Sequence, residues 1–132
     1  MNDLNQRLLE LNDKIVNVFT DISNVKPRAW HILFDSKYRK IENSLFSFRK
    51  ELHEIDRDIE PQTIIPNDYN SIQMVTGKLS ILFSTRNMVL TSLSEAQKIL
   101  TNNQSQVTFK FTTIISLVAI AVSIISAIPF SV

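Results

Sequence analysis

Residues 111–132 have the sequence FTTIISLVAIAVSIISAIPFSV and contain no charged side chain. At a rise of about 1.5 Å per residue, a helix of this length extends roughly 33 Å, enough to cross a hydrocarbon layer of about 30 Å. A buried helix of a soluble protein is usually apolar over only about 10–14 residues. The length of the run therefore predicts one transmembrane helix, and we place the membrane anchor at residues 106–132.

The charges that flank this run predict its orientation. Lys98 and Lys110 precede the run, and no charged residue follows it. Because basic residues favour the cytoplasmic side, we expect residues 1–105 in the cytoplasm and Val132 on the opposite side. The first residues, MNDLNQR, are polar, so no secretory signal is expected and the protein is predicted to be tail-anchored and single-pass. A bacterial inner membrane and an organelle membrane both fit this expectation.

Composition removes several classes of function. The chain has no cysteine, which excludes disulfides, zinc–thiolate sites and thiol catalysis. Gly77 is the single glycine, so no glycine-rich phosphate-binding loop can form. The formal net charge of +1 argues against a nucleic-acid partner.

Three segments, at about residues 3–25, 28–60 and 68–105, carry apolar side chains spaced alternately by three and four. This spacing is typical of a coiled coil or a long helical bundle. In the first two segments the positions are Leu4, Leu8, Leu11, Ile15, Val18, Ile22 and Val25, then Phe34, Tyr38, Ile41, Leu45, Phe48, Leu52, Ile55 and Ile59. In the third they are Ile72, Val75, Leu79, Leu82, Arg86, Val89, Leu93, Ala96 and Leu100.

The breaks between these segments predict the topology. Pro27 suits the first position of a second helix, and Asn67 or Asp68 suits the N-cap of a third. Short connections make consecutive helices antiparallel neighbours. The sequence therefore predicts an all-α fold, an antiparallel coiled-coil-like bundle of three helices at residues 1–105, whose third helix continues into the transmembrane helix. A hinge at residues 102–106 is the alternative to this continuity.

The second segment has a charge polarity that opposes the helix macrodipole, with basic residues near its start and acidic residues near its end. In an antiparallel bundle its start lies close to the membrane, where anionic lipid headgroups would attract basic side chains. The alternative is that these charges are only solvated helix surface. The predicted membrane-proximal basic cluster consists of Lys26, Arg28, Lys37, Arg39, Lys40 and Lys110.

Two features of the third segment point to specific contacts. Arg86 occupies an apolar seam position, where it either forms a polar core layer that fixes register or lays its stem over the seam while its guanidinium reaches water. A second apolar row is formed by Met74, Ile81, Met88 and Ile99, which we place nearly opposite the main seam. An uncovered second row favours self-association or a helical protein partner.

Small residues in the span are also regularly spaced. They are Thr112, Ser116, Ala119, Ser123 and Ser126, while the other faces carry Ile, Leu and Val. Small and hydroxylated residues allow close approach of membrane helices and hydrogen bonds between them, which predicts an oligomer or pore seam. The alternative is that each hydroxyl bonds to a carbonyl of its own helix.

The sequence offers little for catalysis. The two histidines, His31 and His53, fit no known metal motif, and no serine or threonine has a recognisable base beside it. We therefore expect a non-enzyme with no catalytic residue, metal site or cofactor. Two functions remain: an oligomeric membrane-perturbing effector, holin-like or toxin-like, or a passive membrane tether whose helices bind a partner protein.

Overall fold

A computed structural model describes residues 1–26, 28, 36–63 and 67–127. It contains three α-helices: α1 (Asn2–Asn24), α2 (Ser36–Ile59) and α3 (Tyr69–Ala127). A 3₁₀ turn at Glu60–Thr63 follows α2, and no strand occurs within the described residues. The all-α bundle of three helices is confirmed.

The three helices bury the seam positions expected from the heptad spacing. The buried side chains are Leu4, Leu8, Leu11, Ile15 and Ile22 on α1, Tyr38, Leu45, Leu52, Ile55 and Ile59 on α2, and Leu82, Val89, Leu93, Ala96, Leu100 and Val107 on α3. Val18, Val25, Ile41, Phe48 and Leu79 are partly buried against this core. Because each helix carries one apolar stripe, the three stripes meet in one common core.

Polar contacts between the helices fix their directions. Arg7 on α1 pairs with Asp58 on α2 at 2.8 Å, and Lys14 pairs with Glu51 at 2.9 Å, so α1 and α2 are antiparallel. The Ser92 hydroxyl donates to Asn12 Oδ1 at 2.8 Å.

A second contact between α1 and α3 lies further along both helices. The Asn103 side-chain amide donates to the carbonyl oxygen of Ile22 at 3.3 Å. Residue numbers therefore rise together along the two helices, which means that α1 and α3 run parallel and α2 runs against both.

α2 is described from Ser36, whereas the sequence predicts the second helix from about residue 28. Arg28 is not helical. Residues 27 and 29–35, including Pro27, Trp30, His31 and Phe34, lie outside the described residues. The expected start of the second helix therefore falls largely on residues that the structure does not describe.

The start of α3 is capped as the sequence predicts. The Asp68 carboxylate accepts hydrogen bonds from the Ser71 backbone N–H at 3.1 Å and from the Ser71 hydroxyl at 3.0 Å. The Ser71 N–H is one of the donors that a helix start leaves without a partner in the helix. These hydrogen bonds lower the pKa of Asp68 below its ordinary value, the backbone bond having the largest effect.

α3 is one continuous helix through residues 102–106, so the alternative of a hinge there is wrong. Its last buried side chain is Val107, and every side chain from residue 112 to residue 126 is exposed. The segment beyond Val107 reaches about 30 Å further at about 1.5 Å per residue. The helical bundle therefore ends where the apolar run begins.

Candidate membrane-facing site

Within the described residues, α3 is the one helix long and apolar enough to cross a membrane by length and composition. None of the described residues outside α3 buries the most apolar part of this helix. A fully exposed aliphatic surface of this length is unfavourable in water and favourable in a hydrocarbon layer. α3 is thus the candidate single membrane span; residues 128–132 lie outside the described residues.

The small residues predicted to form a seam do lie on one face of this exposed helix. At about 100° per residue, Thr112, Ser116, Ala119, Ser123 and Ser126 fall within roughly 80° of one another. All of them are exposed. Their mean direction is about 120° away from the seam that α1 and α2 cover. The face therefore points away from the side of α3 that α1 and α2 cover.

Hydroxyl groups on and near this face bond partly to their own helix. Ser123 Oγ donates to the Ala119 carbonyl oxygen at 2.8 Å, and Thr113 Oγ1 donates to the Phe109 carbonyl oxygen at 2.9 Å. This is the alternative weighed for the hydroxyls, and it holds for Ser123. A hydroxyl that donates in this way still has oxygen lone pairs and a small volume. Such a face is suited to close helix contact more than to obligatory hydrogen bonds between helices.

The face continues out of the apolar run into the bundle. Thr101, Ser105 and Thr108 are exposed and fall in the same angular range as Thr112 and Ser116. We name the exposed positions Thr101, Ser105, Thr108, Thr112, Ser116, Ala119, Ser123 and Ser126 the small-residue face. Thr101, Ser105 and Thr108 lie before the uncharged run and are not part of the predicted seam, but their spacing of four and three continues that of the seam.

The basic cluster lies at the end of the bundle from which the apolar helix emerges. All six of its residues, Lys26, Arg28, Lys37, Arg39, Lys40 and Lys110, are exposed. Because α2 is antiparallel to α3, the start of α2 lies beside the region of Val107. Tyr38 is buried, which confirms its assignment as a core aromatic.

The acidic half of α2 has partners within the bundle. Glu51, Asp56 and Asp58 pair with Lys14, Arg86 and Arg7 respectively. Contacts with α1 and α3 therefore offset the unfavourable placement of these acidic residues near the C-terminus of α2. The basic residues near the start of α2 are also unfavourably placed relative to the helix macrodipole. They lie at the end of the bundle nearest the apolar run.

Arg86 forms a two-point ion pair with Asp56. Its Nε donates to Asp56 Oδ1 at 2.5 Å and its second terminal nitrogen donates to Oδ2 at 2.7 Å. The side chains are 30% and 29% exposed, so the pair is half-buried. The hydrogen bond with Asp56 raises the pKa of Arg86, although desolvation opposes this. Arg86 thus joins α3 to α2 at a half-buried position, and its acidic partner is Asp56.

The second apolar row of α3 is only partly exposed. Met74, Ile81 and Met88 are 58%, 60% and 42% exposed, whereas Ile99 packs against the core. Our placement of the row opposite the seam was wrong: a step of one residue turns the helix by about 100°, so the row lies beside the seam.

Potential metal ligands among the described residues lie mainly along the acidic half of α2. His53 is exposed on α2. Its acidic neighbours Glu51, Asp56 and Asp58 form ion pairs with residues of α1 and α3. No group of three or more potential metal ligands converges within the described part of the chain. Comparisons with protein-family models, with curated proteins and with solved structures give no match for this chain.

Proposed function

We propose that the protein is a non-enzymatic, single-pass membrane protein that self-associates in parallel along the small-residue face and acts on the membrane once assembled. The observation that supports this proposal is the continuity of that face, exposed from Thr101 to Ser126 on one unbroken helix. Small residues let membrane helices approach closely and gain van der Waals contact. A parallel pair or ring of copies would then be in contact both inside and outside the bilayer.

Assembly is required for any effect on permeability. The described part of the apolar run presents Ile, Leu and Val on the faces that lack small residues, and one such helix encloses no aqueous path. Several copies could surround a narrow path lined by hydroxyls, although no ring of charges would make it ion-selective. A holin-like or toxin-like effector has this design, and the bundle would remain on the cytoplasmic side with the C-terminus opposite.

Cysteine cross-linking tests the association. The natural chain has no cysteine, so an Ala119→Cys variant of the full protein in lipid vesicles reports only its own contacts. We expect oxidant to give disulfide-linked dimers of this variant. Val118→Cys is the control, because Val118 is equally exposed but lies about 100° away around the helix. Equal cross-linking of both variants would contradict association through the small-residue face.

Dye release tests the effect on the membrane. The full protein in dye-loaded vesicles containing anionic lipid is expected to cause leakage, and Ser116→Leu/Ser123→Leu/Ser126→Leu is expected to abolish it. The matched control is Ile114→Leu/Val118→Leu/Ile125→Leu, which changes three exposed positions on the other side of the helix. Complete membrane insertion of the natural protein without dye leakage would contradict the proposed effector function.

The second candidate function is a membrane tether. The exposed apolar side chains at the end of the bundle farthest from the span favour it. There α3 extends beyond α1, and Tyr69, Met74 and Ile81 are largely exposed. A tether would present this apolar end to a helical partner at about 60 Å from the membrane, given about 1.5 Å per helical residue. It would insert without causing leakage, and it would tolerate leucine at all three serines of the span.

A further inference from the structure

A groove of about 370 Å³ runs along the surface between α2 and α3. Arg49 Nη2 donates to Gln97 Oε1 across it at 3.3 Å. Along the axis of α2, Arg49 lies about 20 Å from Ser36 and about 15 Å from Ile59, so the groove is at mid-height of the bundle. The described residues that line it are Arg49, Leu90, Leu93, Ser94, Gln97 and Lys98.

The groove contains an apolar strip that is open to solvent. Leu90 is 38% exposed, whereas Leu93 beneath it is buried. Phe46 lies one turn before Arg49 on α2, and because α2 and α3 are antiparallel it is at the height of Thr101. The Phe46 side chain is 72% exposed. Leu90 and Phe46 thus mark the ends of an apolar strip about 17 Å long, which is three helical turns.

The rim of this strip is basic. Arg49 and Lys98 line the groove, and no carboxylate does so within the described part of the chain. Neither of these two cations forms an ion pair with a described residue. A partner that covers the strip would therefore bring its own side chains next to two cations that lack a carboxylate in the described bundle. The basic residues that do form ion pairs between the helices are Arg7, Lys14 and Arg86.

The described carboxylates near this groove do not offset its charge. Asp56 is already paired with Arg86. Glu42 lies two turns from Arg49 along α2, on the side of the apolar run. Glu95 is turned by about 100° from Ser94 around α3, away from α2. The charge of the groove therefore complements an acidic partner.

The height of the groove rules out lipid headgroups as the source of that negative charge. Lys98 lies about 20 Å along α3 from Phe111, where the apolar run begins. A headgroup layer is only about 5–8 Å thick, and salt screens charges over about 8 Å at physiological ionic strength. If α3 crosses a membrane as proposed, the charge of the lipid surface is therefore largely screened at the groove.

A second copy of the chain fits this groove poorly. Ser94 and Lys98 fall in the angular range of the small-residue face, one to two turns beyond Thr101. Two parallel copies in contact up to this level would bring their Lys98 side chains together, and like charges at close range repel. We therefore expect self-association to end near Thr101, which leaves the groove to another occupant.

We propose that this groove binds an acidic amphipathic helix of a different protein. Its apolar stripe, with side chains spaced by three and four residues, would cover Leu90 and Phe46. Glu or Asp side chains beside that stripe would pair with Arg49 and Lys98 and set the orientation of the helix. The inference uses the proposed membrane placement of α3 where it rules out lipids, and it does not depend on leakage or self-association.

Defined helical peptides test the docking site on the full chain. The protein is placed in nanodiscs of phosphatidylcholine, which has no net charge, and fluorescence anisotropy follows each labelled peptide, with empty nanodiscs as the lipid control. The acidic probe has three heptads with Leu at positions a and d and Glu at e and g, which also keeps it from pairing with itself. A basic probe carries Lys in place of Glu, and a scrambled acidic peptide lacks the apolar stripe.

The acidic probe is expected to bind at least about tenfold more tightly than either control peptide, because it alone matches both the strip and its charge. Its affinity should fall as salt is added. Lys98→Glu should weaken it by about fivefold and strengthen binding of the basic probe. Lys78→Glu is the matched control, since Lys78 is also exposed on α3 but does not line the groove.

A second pair of variants tests the apolar strip. Leu90→Gln should weaken the acidic probe by about fivefold, as truncation of a buried interface side chain does. Leu9→Gln changes a leucine of α1 that is 44% exposed, similar to Leu90, and should leave the affinity unchanged. Equal losses in the groove variants and their controls would overturn the proposal.

Other outcomes assign the groove to a different occupant. No binding of the acidic probe, or equal binding of the acidic and basic probes, would overturn the proposal. A scrambled acidic peptide or a single-stranded DNA oligonucleotide that binds as tightly as the acidic probe would show a general anion surface instead. Disulfide-linked dimers of Ser94→Cys that form as readily as those of Ala119→Cys would assign the groove to a second copy. Failure of peptide binding leaves the dye-release and Ala119→Cys results unaffected, so the two proposals fail separately.

Discussion

Arg86 and Asp56 are joined by two parallel hydrogen bonds between charged groups, half-shielded from water. Replacing Arg86 by Met keeps the apolar stem and leaves the Asp56 carboxylate without its partner. We expect the free energy of unfolding to fall by about 1–2 kcal/mol, a value reduced for the partial exposure of both side chains. Chemical unfolding of the full chain in uncharged detergent, followed by circular dichroism, measures this change.

The double variant Arg86→Met/Asp56→Leu separates loss of the pair from loss of packing. It removes both charges and supplies an apolar side chain on each helix. If the stranded carboxylate causes the instability, most of the lost free energy should return. A double variant as unstable as the single one would show that the guanidinium contributes through other contacts.

Asp68 makes the start of α3 sensitive to pH. Its pKa is lower in the folded protein than in the unfolded chain, so the folded state binds fewer protons at this group. Its contribution to stability is complete above the ordinary carboxyl pKa of about 3.9 and is lost as pH falls through the lowered value. Thermal unfolding should show Asp68→Ala less stable than the natural protein at neutral pH, with the difference shrinking in acid. A difference independent of pH would contradict the capping role.

Substitutions of two asparagines on α1 are expected to change the free energy of unfolding in opposite directions. Asn5 Oδ1 is buried with no hydrogen-bond partner, whereas Asn12 Oδ1 accepts from the Ser92 hydroxyl. Asn5→Leu should raise the free energy of unfolding by about 1 kcal/mol, because it removes an unsatisfied acceptor. Asn12→Ala should lower it by about 1 kcal/mol, because the Ser92 hydroxyl loses its acceptor. Unfolding curves that change in the same direction for both variants would contradict this difference.

At the residue scale, the sequence predicted which side chains are buried but not which polar groups meet. The heptad spacing places Leu8, Leu45 and Val89 in the core because burial depends on period alone. Which acidic residue pairs with Arg86 depends on how far α2 is shifted along its axis relative to α3. Several acidic residues near the end of α2 compete for that role in the sequence, so only the packed structure selects one.

At the scale of elements, the single glycine of the chain is placed where it has no structural need. Gly77 lies inside α3 without positive φ, and a Cβ atom built there meets no atom within 4 Å. Gly77→Ala should therefore stabilise this end of α3 by about 0.5–1 kcal/mol, through higher helix propensity. Slower amide hydrogen exchange at residues 73–81 measures the effect. Unchanged exchange would show that another interaction limits the opening of this end.

The ends of the elements were predicted unequally. The start of α3 was correct because Asp68 is a strong capping residue that can be recognised locally. The start of α2 stays a prediction: Pro27 suits a helix start, but Pro27 and residues 29–35 lie outside the described residues, and Arg28 is not helical. Continuity of α3 was left open since residues 102–106 are polar but contain neither Gly nor Pro, and such a segment is helical when its neighbours on both sides are.

At the scale of the whole molecule, the unbroken α3 fixes the rotation of the span relative to the bundle. Inserting one alanine after Lys110 rotates everything beyond it by about 100°, and inserting seven turns it by nearly two full turns. Without an insertion, the Ser105→Cys and Ala119→Cys variants should both form disulfide-linked dimers. With the one-residue insertion, the two positions should no longer both cross-link. The seven-residue insertion should restore cross-linking at both positions. Loss of cross-links by both insertions would contradict a continuous contact face.

If α3 crosses a membrane as proposed, its unbroken helix makes the bundle and the span tilt together as one rigid rod. Membrane helices tilt by about 20° on average, and the tilt changes with the thickness of the lipid layer. Tilting a stalk of about 58 Å through this angle moves its far end sideways by roughly 20 Å. A thickness change of a few ångströms around α3 would thus become a large displacement at Tyr69, far from the bilayer that caused it.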